Sequence, residues 1–139
     1  NMTYAHNQWF VGHTAEAKLG VLTDQSGEHW SNEVEWQFGT AIVYNESSGA
    51  IFHQIELVAL TGRNAFGKES RIYTQYSVDG VEWSMPKFIS VGKQGQRTKR
   101  LVWFQQGYMQ NWRIQRFTGT SDARLSIARL EAKVEPLGV

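Results

Sequence analysis

Histidine serves both metal binding and general-base chemistry near neutral pH, so the four histidines are the first candidates for a reactive site. His6, His13, His29 and His53 are scattered along the chain. None has the His-x-His or His-Glu-x-x-His spacing that sets two imidazoles on one metal. Cysteine is absent, which excludes thiolate zinc sites, Fe–S ligation, disulfide staples and cysteine nucleophiles. Glu33 and Glu35 fall on one face of a strand about 6.7 Å apart, a spacing superficially suited to a glycosidase pair. Catalytic carboxylates flank a cleft from different strands, however, and nothing in the neighbouring sequence buries these two to raise a pKa. A solvated strand face is the simpler reading. There is no Gly-rich phosphate loop and no Gly-x-Ser-x-Gly elbow. The sequence reads as a non-enzyme without metal or cofactor.

Recognition chemistry is better represented. Lys93, Arg97, Lys99 and Arg100 lie within eight residues, and Arg113 and Arg116 sit on the strand expected to pair with that segment. Such a cluster suits phosphate, a partner's carboxylates, or plain solvent. The chain holds six Trp, five Tyr and seven Phe, and most alternating aromatics are core filler. Trp103 and Trp112, among Gln and Arg neighbours, are candidate interface anchors. Lys99 and Arg100 are adjacent on a strand and so point to opposite faces. The four charges therefore need not share one surface: Arg100 is expected against Trp103 or a carboxylate, with the loop charges outside. No tight direct nucleic-acid binding is expected.

The elements that must position these residues come from a chain of 139 residues, the length of one domain with a small appendage. By size scaling it buries about two-thirds of its surface on folding, enough for a core without staples. The longest apolar runs are four residues, among them Ala41 to Tyr44 and Leu101 to Phe104, far short of the roughly 20 that cross a bilayer; no membrane association is expected. The overall charge of +1 conceals an asymmetry. Residues 1–62 hold one base and seven acids, and residues 63–139 hold 13 bases and six acids. The asymmetry favours head-to-tail contacts or an acidic partner, unless strands from the two halves interleave. The chain begins Asn1-Met2 without a signal peptide and reads as a fragment.

Periodicity is that of strands. Even positions from Val34 to Tyr44 are apolar or Thr, a half-buried strand. Ala50 to Thr61 follows, with Ile51, Ile55, Leu57 and Ala59 expected on one face. Arg71 to Val78 is next, with Ile72, Thr74, Tyr76 and Val78 on one face. Asp79-Gly80 predicts a two-residue type I′ hairpin with Val81 to Ser84 as the returning strand and Tyr76 near Trp83. Lys87 to Val91 resumes after Pro86. Thr98 to Phe104 and Trp112 to Thr118 are expected to pair across Gln105 to Asn111. Arg124 to Glu135 is a last strand whose end could be helical, with Leu125 and Ile127 opposite Ala128, Leu130, Ala132 and Val134. Residues 1–32 form an N-terminal β-hairpin arm or linker, Trp9 to His13 against Lys18 to Thr23, and 33–139 an all-β, antiparallel, jelly-roll-like β-sandwich.

The ordered combination Tyr73-Thr-Gln-Tyr76-Ser-Val-Asp79-Gly80-Val-Glu-Trp83-Ser84, Gly92-Lys93-x-Gly95, Arg100-x-x-Trp103-x-x-x-Gly107 and Trp112-Arg113-Ile114 resembles the C-terminal region of the packaged-DNA stabilisation proteins of short-tailed phages. Phe38-Gly-Thr and Ile55-Glu-Leu-Val extend the likeness, which covers roughly residues 34–135. The resemblance implies a longer protein with a propeller-like domain ahead of this one, whose end residues 1–32 would be. It implies a hexameric ring of copies in the virion tail, assembled in the host cytoplasm. That ring would meet portal or adaptor above and needle or spike below, closing the portal channel and retaining the genome without catalytic residues. An isolated domain cut from such a ring is expected to be monomeric or weakly associated. The alternative from the residues is a carbohydrate-binding sandwich that recognises bacterial surface glycan through exposed Trp and Tyr.

Overall fold

The structure is a computed structural model that describes residues 1–139 apart from 24, 25, 46, 47, 65, 121, 123 and 139, and the backbone alone of Tyr44. Among the described residues twelve strands run β1(Met2–Ala5), β2(Gln8–Gly12), β3(Leu19–Leu22), β4(Glu35–Gly39), β5(Val43–Tyr44), β6(Ala50–Leu60), β7(Arg71–Ser77), β8(Lys87–Ser90), β9(Leu101–Phe104), β10(Tyr108–Met109), β11(Trp112–Thr120) and β12(Ser126–Pro136). Every pairing between them is antiparallel. One sheet has the order β4-β11-β7-β8 with β5 also on β11; the second is built on β6, flanked by β12 on one side and by β9 and β10 on the other. The two halves of the charge asymmetry therefore interleave. Acidic-half β4 lies on β11 and β6 lies on β9 and β12, so opposite charges meet locally.

The core is where the two sheets face each other. Ala50, Phe52, Ile55 and Leu57 of β6, Leu101 and Trp103 of β9 and Met109 of β10 meet Ile72 of β7, Phe117 of β11 and Val91. Trp103 and Phe117 rings lie 5.5 Å apart, and Phe38 of β4 stacks on Phe117 at 5.3 Å. An alternating pattern gives each of these strands one apolar face, and stacking two such faces is the antiparallel sandwich.

Four sequence expectations change. First, Thr98 to Phe104 does not pair with Trp112 to Thr118. β9 pairs with β6, Ile55 opposite Trp103, and Gln105 and Gln106 continue along β6 through bonds to His53 O and Phe52 O. Trp103 and Phe117 meet across the core rather than side by side in one sheet. Second, Asp79-Gly80 is not a two-residue hairpin, and Val81 to Ser84 is not a strand; β7 pairs with β8, Thr74 opposite Lys87. Gly80 alone of that dipeptide has a positive φ, 80°, whereas a type I′ turn needs two. The Asp79 carboxylate instead accepts from the Val81 and Glu82 amides, both at 2.8 Å, and shapes a wider loop. Two-residue turns with both φ positive stand instead at His6-Asn7 (50° and 61°), joining Ala5 to Gln8, and at Trp30-Ser31 (53° and 67°), between the bridged His29 and Asn32.

Third, the strand phase slips. In β6 the register on β12 skips His53, so Phe52 shares the inward face with Ile55 while Ile51 turns out. On β12 the irregularity at Ala128 brings Ile127 and Leu130, opposite Ala59 and Leu57, to the same face. The strand Val34 to Tyr44 is likewise split into β4 and β5 around Thr40, whose amide still donates to Gln115 O at 2.8 Å. Each is a bulge, one extra residue that inverts the alternation beyond it. Fourth, the last strand begins at Ser126 rather than Arg124 and stays strand to Pro136, without a helical end. The N-terminal hairpin, β2 on β3 with Trp9 opposite Leu22, carries a third strand, β1, that the alternation did not announce.

Candidate interaction surface

The eight sequence candidates separate into four places. Lys93, Arg97 and Lys99 are exposed on the connection between β8 and β9. That connection is held against the Thr61–Ser70 segment by buried polar pins. Thr61 Oγ1 donates to Gln96 O at 2.7 Å, Asn64 Nδ2 to Gly92 O at 2.8 Å, and the Gly95 amide to Gly62 O at 3.0 Å. Thr61 and Asn64 are buried, which makes these bonds costly to lose. Gly62 has φ 85°, and a Cβ there would meet the Gln96 backbone at 3.0 Å, so the close approach of the two loops requires glycine. A small turn, the Gln96 amide to Lys93 O and the Lys93 amide to Gln96 Oε1, finishes the platform.

Arg100 belongs elsewhere. Its guanidinium forks onto Glu56 of β6, Nε to Oε1 at 2.9 Å and Nη2 to Oε2 at 2.6 Å, on the face of that sheet turned away from the core. The bidentate bond holds the Glu56 carboxyl below its ordinary pKa and raises that of Arg100.

Trp103 and Arg113 are interior residues, 2% and 1% exposed, so neither presents a side chain to a partner in this conformation. The Trp103 indole donates to Lys87 O at 2.8 Å. Arg113 lies with its guanidinium carbon 4.2 Å from the Phe52 ring centre and 3.9 Å from that of Tyr76. It donates to Gln106 O and, through Nε and Nη2, to Gln115 Oε1. Burial lowers its pKa to about 10, so it stays charged at neutral pH. No described carboxylate faces it; two π faces and two oxygen acceptors replace water instead. Phe52 comes from one sheet and Tyr76 and Gln115 from the other, so this cation ties the sandwich together.

Arg116 and Trp112 are half-buried on the outer face of β11. The Arg116 guanidinium carbon sits 3.7 Å from the Trp83 ring centre and its Nη2 donates to Gln75 Oε1 at 2.8 Å. Its Nε is buried without a hydrogen-bond partner.

Sequence reasoning missed the most exposed large hydrophobic of the loop end. Phe66 is 91% exposed and lines, with Gly67, Lys68, Glu69, Lys93 and Gln94, a shallow depression of about 500 Å³. The signal was an aromatic stranded in the polar loop Thr61-Gly62-Arg63-Asn64-Ala65-Phe66-Gly67. No alternation reaches it, so no core could claim it. Lys68 is paired with Glu33 at 3.1 Å, which raises its pKa, whereas Lys93, Arg97 and Lys99 have no carboxylate partner among the described residues. An exposed aromatic beside unpaired cations is chemistry for contacting an acidic protein surface. Among the described residues no three His, Asp or Glu side chains gather where they could hold a metal.

Compared with known proteins, the chain matches the family model described as Bacteriophage P22 Gp10, beta-sandwich, over residues 35–135, a span that holds β4 to β11 and nearly all of β12. No curated protein matches it.

Proposed function

The chain belongs to the bacteriophage P22 Gp10 beta-sandwich family, a structural phage domain, and from that membership we propose that it is a piece of the tail hub that helps close the portal channel and stabilise packaged DNA through protein–protein contacts. The observation that carries this reading is the continuous family match across the sandwich strands. The loop end supports it: Lys93, Arg97 and Lys99 are free to orient an acidic neighbour, and Phe66 offers an apolar anchor. In this reading copies of the full-length protein form a hexameric ring in the virion tail, between portal or adaptor and needle or spike, after assembly in the host cytoplasm. Its action is mechanical and direct DNA binding is weak.

Cross-linking mass spectrometry of purified particles tests this. Lys93 and Lys99 are expected to link to another copy or another tail polypeptide. Links confined to the domain itself would contradict the reading. Specific glycan-array binding that disappears in Trp9→Ala would favour a carbohydrate-binding module instead.

A further inference from the structure

β12 is an open edge. In the described residues it pairs with β6 alone, and all eleven of its residues are exposed. Edges of this length are usually blunted by proline, by a bulge or by charged side chains, lysine above all. From Arg129 to Glu135, β12 has neither proline nor bulge; its irregularity is at Ala128, its proline is the last residue, and the register break near Lys133 comes from the extra residue on β6. Its charges alternate in sign instead. Arg129, Glu131, Lys133 and Glu135 share the outward face, while Leu130, Ala132 and Val134 share the core side, where Leu130 and Val134 remain 38% and 40% exposed.

We propose that this edge pairs with the same edge of a second copy, antiparallel about a two-fold axis at Ala132. In that register Arg129 lies opposite Glu135, Glu131 opposite Lys133, and Leu130 opposite Val134, each pair occurring twice. Directly opposed residues interact most strongly across an antiparallel pair, and here every opposed pair is either oppositely charged or apolar. A slip of two residues one way sets Glu131 against itself and Arg129 against Lys133. The same slip the other way sets Lys133 against itself and Glu131 against Glu135. A slip of one residue sets the charged face against the apolar one. Parallel in-register pairing would oppose like charges throughout. The pattern therefore specifies one partner and one register. The intrachain contacts Arg129 to Glu131 at 2.6 Å and His53 to Glu135 at 2.8 Å hold the charged row in place along the strand. An isologous contact of this kind closes on itself and is distinct from the head-to-tail contacts of a ring. Seven residues of edge bury less than the roughly 1,200 Å² of a stable interface, so the pair forms reversibly.

Sedimentation velocity on the 139-residue chain and two variants tests the edge pairing. Glu131→Lys/Glu135→Lys makes the outward row wholly positive, and Arg129→Glu/Lys133→Glu makes it wholly negative; circular dichroism melts check that both fold. The wild type is expected to dimerise reversibly as concentration rises into the high micromolar range. Each variant alone is expected to stay monomeric there, and their equimolar mixture to form a one-to-one pair at least about tenfold tighter than either variant's self-association. A wild type monomeric throughout, variants that dimerise as well as the wild type, or a mixture that remains monomeric would each overturn the proposal.

Discussion

β6 and β12 are both eleven residues long and lie side by side over almost their whole length, yet β6 buries four of its side chains below a tenth exposure and β12 buries none. Composition does not explain this. Leu57 and Leu130 are the same residue type, directly opposite in register, and are 1% and 38% exposed. Position does: β6 has strands on both sides and the second sheet over its inner face, while β12 ends the sheet. A strand's alternation tells which face turns inward, but the order of strands decides how much of that face is covered.

The largest expected effect that sharpens this comparison is Leu57→Ala, which opens a cavity at the centre of the core and should cost about 3 kcal/mol. Leu130→Ala should cost about 1 kcal/mol or less, because its side chain is already partly hydrated. Equal losses in urea denaturation would mean that β12 is covered in solution and would break the comparison.

The smallest effect concerns the outer face of β6, where Glu56 meets Arg100. Its pKa is depressed in the folded protein, so the folded state binds this proton less readily than the unfolded state. The stability this contributes is present above the ordinary value of 4.5 and is lost as pH falls through the lowered folded value. Arg100 is largely in water, its side chain 66% exposed, so the contribution is modest. Urea midpoints of wild type and Glu56→Gln should differ slightly at pH 6 and converge on acidification. A gap that widens as pH falls would contradict the sign.

How much of this was legible follows from particular residues. Strands β6, β7, β9, β11 and β12 announce themselves by alternation, as does the sandwich they form. The bulges do not: nothing in His53-Gln54 or Ala128-Arg129 says that one extra residue inverts the phase there. Asp79-Gly80 has the composition of a tight turn, but the Asp79 carboxylate captures two amides and stabilises a longer loop. Among the candidate residues, charge type misled. Arg113 alternates with Gln115 and Phe117 on the buried face of β11, and that parity was the available signal against an expectation that arginine stays outside. Phe66 was missed because a loop has no period against which an outlier stands out; its signal lay in its polar neighbours alone.

The central claim is that the end formed by residues 61–64, 66–70 and 91–99 makes the protein contacts that help to retain DNA. The most direct test is genome retention in particles assembled with the full-length protein carrying Phe66→Ser, Lys93→Glu, Arg97→Glu and Lys99→Glu, measured as nuclease-resistant DNA per particle after mild heating. These side chains are exposed and outside the core, so the fold should survive. The account predicts heads that fill and then leak their DNA, while retention equal to wild type with the domain folded and incorporated would contradict it.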